Sequence, residues 1–257
     1  MAAGTYTFRN AISFAAKTNH NVPVGDLQAI ACTSALSRVW KPFPWNWTQS
    51  TLTAIALSDS VQDYSLAAAD MTRTDSNGTG ILNFYRIVNL HTVRTDVTPN
   101  KTVEIFQKKH LATELISKMS PGSYRFFSWE PDISKIRLEA AASLSGTATY
   151  QLAGVFQRTP VRLREQDLDT VMDWPDHYFE VFLLALRHKF AEQQDDPKAG
   201  TVQVVRGTKV YTGLLGQLRD AVLEMAEAED FSDGEDLNFP SEPYGASTQG
   251  DGWGIFI

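Results

Sequence analysis

Histidine residues are considered first, because the imidazole ring is the commonest metal ligand in proteins and the usual acid or base near neutral pH. The chain has five, at positions 20, 91, 110, 177 and 188. His177 and His188 fall on one face of a predicted helix, but their spacing of eleven residues places them roughly 16 Å apart along its axis. One metal ion cannot bind both side chains at that separation. The sequence therefore predicts no metal site.

Four aspartates form an acidic cluster of the kind that can bind Ca²⁺: Asp167, Asp169, Asp173 and Asp176. Their spacing lacks the central glycine and the final glutamate of a calcium-binding loop. Asp173 is placed to cap a helix, and Asp176 to lie in its first turn near the positive end of the helix dipole. Helix capping therefore explains these two residues without a ligand.

Nucleophilic catalysis has no evident site in the sequence. Cys32 lies near Ala31 and Ala35 in a predicted helix, where a free cysteine behaves as a small buried hydrophobe. No basic neighbour favours its thiolate. The chain has no Gly-x-Ser-x-Gly motif and no phosphate-binding loop, and no pair of carboxylates is favoured for glycoside cleavage. We predict no catalytic residue, no cofactor and no enzymatic activity.

An aromatic run interrupted by prolines follows the second predicted helix: Trp40, Pro42, Phe43, Pro44, Trp45 and Trp47. Such a run can present a flat surface to a sugar or a peptide. Tryptophans beside a domain junction are more often core residues, because each buries a large apolar area. We favour the core interpretation and keep carbohydrate binding by Trp45 and Trp47 as an alternative.

The composition is that of an ordinary globular protein, with 257 residues of which 43% are hydrophobic and 21% charged. No apolar run approaches the ~20 residues of a membrane span, so we expect no membrane contact, and the N-terminus has no signal-peptide pattern. A single cysteine excludes an intramolecular disulfide and fits synthesis in a reducing cytoplasm. The net charge of −7 argues against a surface that wraps nucleic acid, since phosphate binding requires clustered Lys and Arg.

Hydrophobic spacing divides the chain into elements. Residues 1–46 predict two amphipathic helices, one over 5–18 and one that Asp26 caps and Pro42 ends. Over 47–165 the period changes to two, and β-branched and aromatic residues predict a small inserted sandwich or barrel of six or seven antiparallel strands. The strands are expected at 51–57, 62–66, 81–94, 103–106, 124–129, 135–140 and 147–157, with a turn at 75–78 and a short helix at 108–119.

Residues 166–231 predict a helical hairpin. Asp173 and Pro175 open a helix so apolar that it must be covered by its own domain or by neighbouring subunits. Asp196 and Pro197 open a second helix, with an apolar stripe of Val204, Tyr211, Leu214, Leu215, Leu218, Val222 and Met225. The predicted fold class is therefore α+β: a helical bundle of 1–46 and 166–231, an inserted small antiparallel β domain, and an extended C-terminal arm at 232–257.

The C-terminal segment is acidic, rich in proline and glycine, and contains no Lys or Arg after Arg219. Such a composition is not expected to fold alone. One interpretation is a solubilising tail, and the other, which we favour, is an arm that lies on a partner subunit. In the predicted interface Asp233, Glu235 and Asp236 meet basic patches on the partner, and the apolar anchor consists of Trp253, Ile255, Phe256 and Ile257.

A series of short segments follows a common pattern of spacing and residue type across residues 5–230. They are Leu36-Ser37-Arg38-Val39-Trp40, Pro44-Trp45-Asn46-Trp47, Val61–Leu66, Tyr85-Arg86-Ile87, Gly122-Ser123-Tyr124, Ile136-Arg137-Leu138, Tyr150-Gln151-Leu152, Arg158–Val161, Leu168-Asp169-Thr170 and Trp174–Tyr178. In this pattern the chain resembles the head-to-tail adaptor, or connector, proteins of tailed bacteriophages.

The resemblance implies a helical bundle with an inserted β domain, arranged as a homo-oligomeric ring that is commonly a dodecamer. It implies docking on the portal protein, contact with a downstream tail or neck protein, and a lumen that genome DNA crosses without sequence-specific binding. The implied location is the virion neck, between capsid and tail, after synthesis in the bacterial host cytoplasm. The alternatives are a tail-completion or terminator protein, another neck or tail module, or a carbohydrate-binding virion protein.

Overall fold

The computed structural model describes residues 5–17, 25–74, 80–108, 118–130, 135–144, 146–206 and 208–229. The chain divides into two compact units. The first, here the β unit, is continuous from Phe43 to Arg162. The second, here the helical unit, combines the segment up to Pro42 with the segment from Leu163 onward. The chain therefore leaves the helical unit once and returns to it once.

The described part of the β unit contains ten short strands. They are β1 (Gln49–Thr51), β2 (Ile55–Ala56), β3 (Asp63–Ser65), β4 (Thr72–Thr74), β5 (Gly80–Leu82), β6 (Phe84–Arg94), β7 (Lys101–Gln107), β8 (Phe126–Glu130), β9 (Lys135–Leu138) and β10 (Tyr150–Arg158). A single helical turn, α3 (Ala68–Met71), precedes β4. Three-residue 3₁₀ helices lie at Asn46–Thr48 and Pro121–Ser123.

Eight of these strands form one curled, mixed sheet with the shape of half a barrel. The strand order is β1-β10-β6-β7-β8-β9-β3, and β2 also pairs with β10. The longest ladder joins β10 to β6, from Tyr150 opposite Arg94 to Arg158 opposite Phe84. β4 and β5 pair with each other in a separate two-stranded sheet.

The predicted fold class, a helical bundle with an inserted small antiparallel β domain, is wrong, because the protein is mixed α/β with a large sheet. The sheet is mixed because β7 and β8 run parallel, with Phe106 opposite Phe126. Parallel neighbours cannot be joined by a tight turn, and residues 108–125 separate these two strands. The helix predicted over 108–119 falls in this connection, where residues 109–117 lie outside the described residues.

The β unit has a hydrophobic core of its own. In β9 the fully buried Ile136 and Leu138 alternate with half-buried polar residues, as the sequence predicts for this segment. The rings of Phe84 and Phe156, on neighbouring strands, stack with their centroids 5.3 Å apart. Each fully buried leucine or isoleucine contributes about 1.5–3 kcal/mol through removal of its surface from water.

The described part of the helical unit contains four long helices: α1 (Phe8–Ala16), α2 (Asp26–Trp40), α4 (Phe179–Gln193) and α5 (Gly213–Ala228). The two predicted N-terminal helices are confirmed. Thr7 caps α1, since its hydroxyl accepts the N–H of Asn10, whereas Gly25 rather than Asp26 is the cap residue of α2. Among the described residues, no helix combines the length and the apolar composition needed to cross a membrane.

Helix α4 lies at the centre of the helical unit. It packs against α1, α2 and α5, and the ring of Phe182 meets that of Phe8 edge-on at 6.0 Å. Its own unit therefore covers its apolar surface, so a neighbouring subunit is not needed for that purpose. The buried residues are Phe179, Phe182, Leu183, Ala185, Leu186, His188, Phe190 and Ala191.

The second helix of the predicted hairpin is confirmed as α5, which buries Leu215, Leu218, Val222 and Met225 of the predicted stripe, but its predicted start at Asp196 is wrong. Asp196 does cap a turn, because its carboxylate accepts the N–H of Lys198, but the turn is a 3₁₀ helix of three residues, Pro197–Ala199. Gly200 then adopts a φ of 87°, in the left-handed region that glycine reaches without strain, and ends the turn. β11 (Val202–Val205) and β12 (Thr208–Tyr211) follow as an antiparallel hairpin before α5 begins.

The central place of α4 predicts a difference between two leucine truncations in the helical unit. Leu186→Ala removes a side chain with no exposed surface, so we expect a loss of about 2–5 kcal/mol in the free energy of unfolding. Leu27→Ala is the matched control, because Leu27 on α2 is 54% exposed and its truncation is expected to cost at most about 1 kcal/mol. Urea titrations followed by helical circular dichroism measure both, and equal losses would contradict the central role of α4.

Candidate functional site

All seven predicted interface residues lie outside the described residues, as does the whole arm at 232–257. These residues are Asp233, Glu235, Asp236, Trp253, Ile255, Phe256 and Ile257. The arm interface therefore stays a prediction. The described residues offer five further candidates: the aspartate cluster, the tryptophan run, a buried cysteine, a buried histidine and the β11–β12 hairpin.

The aspartate cluster organises the N-terminal segment of the helical unit. Arg9 donates through Nε to Oδ1 of Asp169 at 2.6 Å, and Asp176 accepts the backbone N–H of Thr5 at 2.8 Å and its hydroxyl at 2.6 Å. These hydrogen bonds hold the pKa values of both carboxyl groups below their usual range. The predicted cap at Asp173 is wrong, because Tyr178 is the cap residue of α4. Within the described ranges, no three His, Cys, Asp or Glu side chains are grouped so as to hold a metal ion.

The tryptophan run belongs to the core. Trp45 has no exposed surface and Trp47 is 6% exposed, so neither ring presents a face to a sugar, and the core interpretation is confirmed. Gln157 on β10, itself fully buried, donates through Nε2 to the carbonyl of Phe43 at 2.7 Å and to the hydroxyl of Thr48 at 3.1 Å. This amide therefore ties the segment from Phe43 to Thr48 to the sheet.

Cys32 is fully buried in α2, and burial raises the pKa of its thiol to about 12. Burial has this effect because the thiolate loses its hydration in an apolar environment. The side chain is therefore a thiol at neutral pH, and it packs as the small hydrophobe that the sequence predicts.

His188 is a buried titratable group with charged neighbours. It lies on α4, is 3% exposed, and its Nδ1 contacts the guanidinium of Arg38 on α2. Arg38 also approaches Glu192 at 3.5 Å, and Glu192 in turn accepts from Lys189 at 2.7 Å. Because arginine can only donate, Nδ1 must accept, and the imidazole is neutral with its proton on Nε2.

Burial, with the charges of Arg38 and Lys189, lowers the pKa of His188 to about 4, although Glu192 opposes the shift. Nδ1 is already occupied by Arg38, and the ring is closed to solvent. This histidine therefore joins α2 to α4 and is not placed to act on a substrate.

The β11–β12 hairpin is held rigidly at its base. The N–H of Thr201 donates to the hydroxyl of Thr212, and the N–H of Thr212 donates to the carbonyl of Thr201, both at 3.0 Å. Gly200 and Gly213 face each other so closely that a Cβ on Gly213 would lie 2.6 Å from the carbonyl oxygen of Lys198, and one on Gly200 would collide with the carbonyl of Thr212. Both glycines have positive φ angles. Only glycine fits these two positions.

Beyond this base, the hairpin exposes apolar side chains on both faces. Val204 is 70% exposed, Val205 50% and Val210 40%. In the ladder Val204 lies opposite Lys209, whereas Val210 lies opposite Gln203 and points to the other face. A two-stranded hairpin with both faces exposed to solvent is only marginally stable by itself. Because the hairpin is held at its base, these exposed valines make it the candidate contact surface of the helical unit.

Sequence reasoning misassigned this hairpin because its apolar spacing also fits a helix. Val204, Tyr211 and Leu218 are seven residues apart, which is two helical turns. A stronger signal was present in the β-branched run Val202–Val205, which is followed by Arg206-Gly207. Two residues that include glycine between such runs are typical of a tight hairpin turn, and Arg206 does adopt a positive φ of 52°.

Comparison of the chain with protein-family models and with curated proteins gave no match.

The low pKa of His188 predicts an acid-sensitive junction between α2 and α4. An unfolded histidine binds a proton below pH ~6.5, whereas native His188 does so only near pH 4, so acidification favours the unfolded chain. We expect up to about 3 kcal/mol of stability to be lost as the pH falls from about 6.5 to about 4. His188→Gln keeps an acceptor for Arg38 but does not titrate, and its loss over the same range should be smaller. Urea titrations at neutral and acidic pH compare the two proteins, and identical losses would refute the assignment.

The glycine contact at the hairpin base predicts an unequal cost of two alanine substitutions. Gly200→Ala combines a left-handed φ with a collision against the Thr212 carbonyl, so we expect a loss of about 2–5 kcal/mol in unfolding free energy. Gly146→Ala is the control, because Gly146 has a φ of 66° but open space around it, and it should cost only ~1–2 kcal/mol. Thermal and urea unfolding measure both variants. A Gly200→Ala protein as stable as the control would show that the base is not rigid.

Proposed function

We propose that the chain is a structural virion protein: a head-to-tail adaptor whose copies form a ring on the portal and link the capsid to the tail. The observation that carries this proposal is the hairpin at 202–211. Three exposed valines extend from its base, where Gly200 and Gly213 leave no room for a side chain. Such a surface serves assembly, because covering it removes apolar area from water at little conformational cost.

The organisation of the helical unit supports the same role. α4 is covered by helices from both ends of the chain, so each copy has a stable framework before it meets a partner. The exposed apolar side chains in the helical unit then lie on surface elements, including Leu27 and Ile30 on α2 besides the hairpin. A subunit that is complete in itself and carries apolar surface outward is suited to joining a ring.

The net charge of −7 fits a ring that DNA crosses without being retained. An acidic lumen repels phosphates, so duplex DNA passes through it without sequence-specific binding. In this proposal the protein acts in the virion neck, has no enzymatic activity, and contacts a portal protein on one side and a tail or neck protein on the other. A strongly basic lumen in the assembled ring would contradict this part of the proposal.

The arm at 232–257 is the proposed link to the portal. Its terminal residues Trp253, Ile255, Phe256 and Ile257 are the proposed anchor, because an apolar end on an acidic chain gains most by burial in a partner. The arm residues Asp233, Glu235 and Asp236 are proposed to meet a basic patch.

Deletion of residues 232–257 tests the role of the arm. The truncated chain keeps all described elements, so we expect its melting temperature and circular dichroism to match those of the full chain. We expect its binding to portal rings of the phage that encodes it to be lost, as measured by co-sedimentation. A truncated chain that still joins the portal normally would refute the arm proposal.

The symmetry of the complex separates the adaptor from its rivals. Native mass spectrometry and electron microscopy of the chain bound to portal rings are expected to show twelvefold symmetry between portal and tail. Sixfold or threefold symmetry would instead favour a tail-completion or terminator protein.

A further inference from the structure

The β11–β12 hairpin is a basic island in an acidic protein. Residues 197–213 include three basic side chains, Lys198, Arg206 and Lys209, and no acidic one, although the chain has a net charge of −7. All three side chains are exposed. The hairpin therefore combines positive charge with the exposed valines at 204, 205 and 210.

The opposite charge is concentrated directly after the hairpin. The exposed side of α5 carries Asp220, Glu224 and Glu227, and no Lys or Arg follows Arg219. Beyond α5, the segment Asp233–Phe239 contains three acidic residues and then two large apolar ones, Leu237 and Phe239. Its composition complements that of the hairpin, because its acidic residues can pair with the basic side chains and its apolar residues can pack against exposed valine.

We propose that the segment Asp233–Phe239 of one copy binds the β11–β12 hairpin of a neighbouring copy. The inference rests on the proposed ring and identifies the basic patch that the acidic arm residues meet. Asp233, Glu235 and Asp236 pair with Arg206 and Lys209, and Leu237 and Phe239 cover Val204, which shares a face of the hairpin with Lys209. The apolar terminus of the arm is left for the portal.

Charge favours a neighbouring copy over the hairpin of the same chain. Because α5 has 16 residues and is about 24 Å long, a segment that returned to the hairpin of its own chain would have to run back along α5. It would then cross the exposed Asp220, Glu224 and Glu227. Like charges at close range are destabilising.

Charge reversal on each side tests the proposal. The hairpin-reversed variant is Arg206→Glu with Lys209→Glu, and the arm-reversed variant is Asp233→Lys, Glu235→Lys and Asp236→Lys. We expect each variant alone to self-associate on the order of tenfold more weakly than the wild-type full chain, as measured by sedimentation velocity at low salt. High salt should weaken the association of the wild-type chain, because it screens exposed charge pairs.

Mixing the two variants distinguishes neighbours from self-contacts. In a mixture, the acidic arm of the hairpin-reversed chain meets the basic hairpin of the arm-reversed chain, and the two reversed elements also complement each other. We therefore expect native mass spectrometry to show hetero-oligomers that neither variant forms alone. If the arm and the hairpin of one chain bound each other, mixing the variants would not restore association. A mixture without hetero-oligomers would therefore overturn the proposal.

The control for the hairpin-reversed variant is Lys101→Glu with Arg125→Glu, which makes the same change in net charge at exposed sites of the β unit. It should associate as the wild type does, and an equal loss in the control would overturn the proposal. So would a wild-type chain that stays monomeric, or a hairpin reversal that removes binding to duplex DNA without changing self-association.

Failure of this inference is distinguishable from failure of the proposed function. Self-association through hairpin and arm without any binding to portal rings would leave the inference standing and refute the adaptor. If both charge-reversed variants still bind portal rings and self-associate as the wild type does, the inference is refuted and the adaptor proposal stands.

Discussion

The burial of α4 is the constraint on which the rest of the helical unit depends. A helix with apolar residues around most of its surface must be covered on several sides at once. Two of the covering helices, α1 and α2, come from the start of the chain, and the third, α5, follows α4. The chain therefore has to return to its starting unit after the β unit is complete. The N–H of Leu163 marks this return, because it donates to the hydroxyl of Thr33 on α2 at 2.9 Å.

Covering α4 within the unit determines which surfaces are left for assembly. An exposed α4 would have provided a large apolar surface for contact between subunits. Because α1, α2 and α5 already occupy that surface, the proposed ring has to be joined through peripheral elements such as the hairpin at 202–211, which exposes three valines. Its glycine base keeps those valines from folding back onto the unit, since Gly200 and Gly213 fix the direction of both strands.

The elements that depend on local residue patterns were predictable from the sequence, whereas the pairing of strands distant in the chain was not. α1 and α2 were predictable from amphipathic spacing, and the alternation in β9 was predictable from Lys135 to Leu138. The parallel pairing of β7 with β8 was not, because no local pattern records which strand a segment will join. The hairpin was missed because the seven-residue spacing of Val204, Tyr211 and Leu218 also fits a helix. Only the β-branched run and the turn residues that follow it indicate strands instead. The predicted interface residues fall outside the described residues, so nothing in the fold bears on them.

The proposed arm-to-hairpin contact bears on how the number of copies is set. The contact is heterologous, since different surfaces of each copy take part, and such contacts close into rings only at particular rotations. The hairpin has a fixed direction, because its base is locked by the Thr201–Thr212 hydrogen bonds. The proposed contact joins this single hairpin to one short segment, whereas two broad faces would be needed to fix the rotation between copies. In the proposed adaptor, a portal with equivalent sites around a circle supplies that rotation, and the hairpin contacts that already join free copies then close the ring.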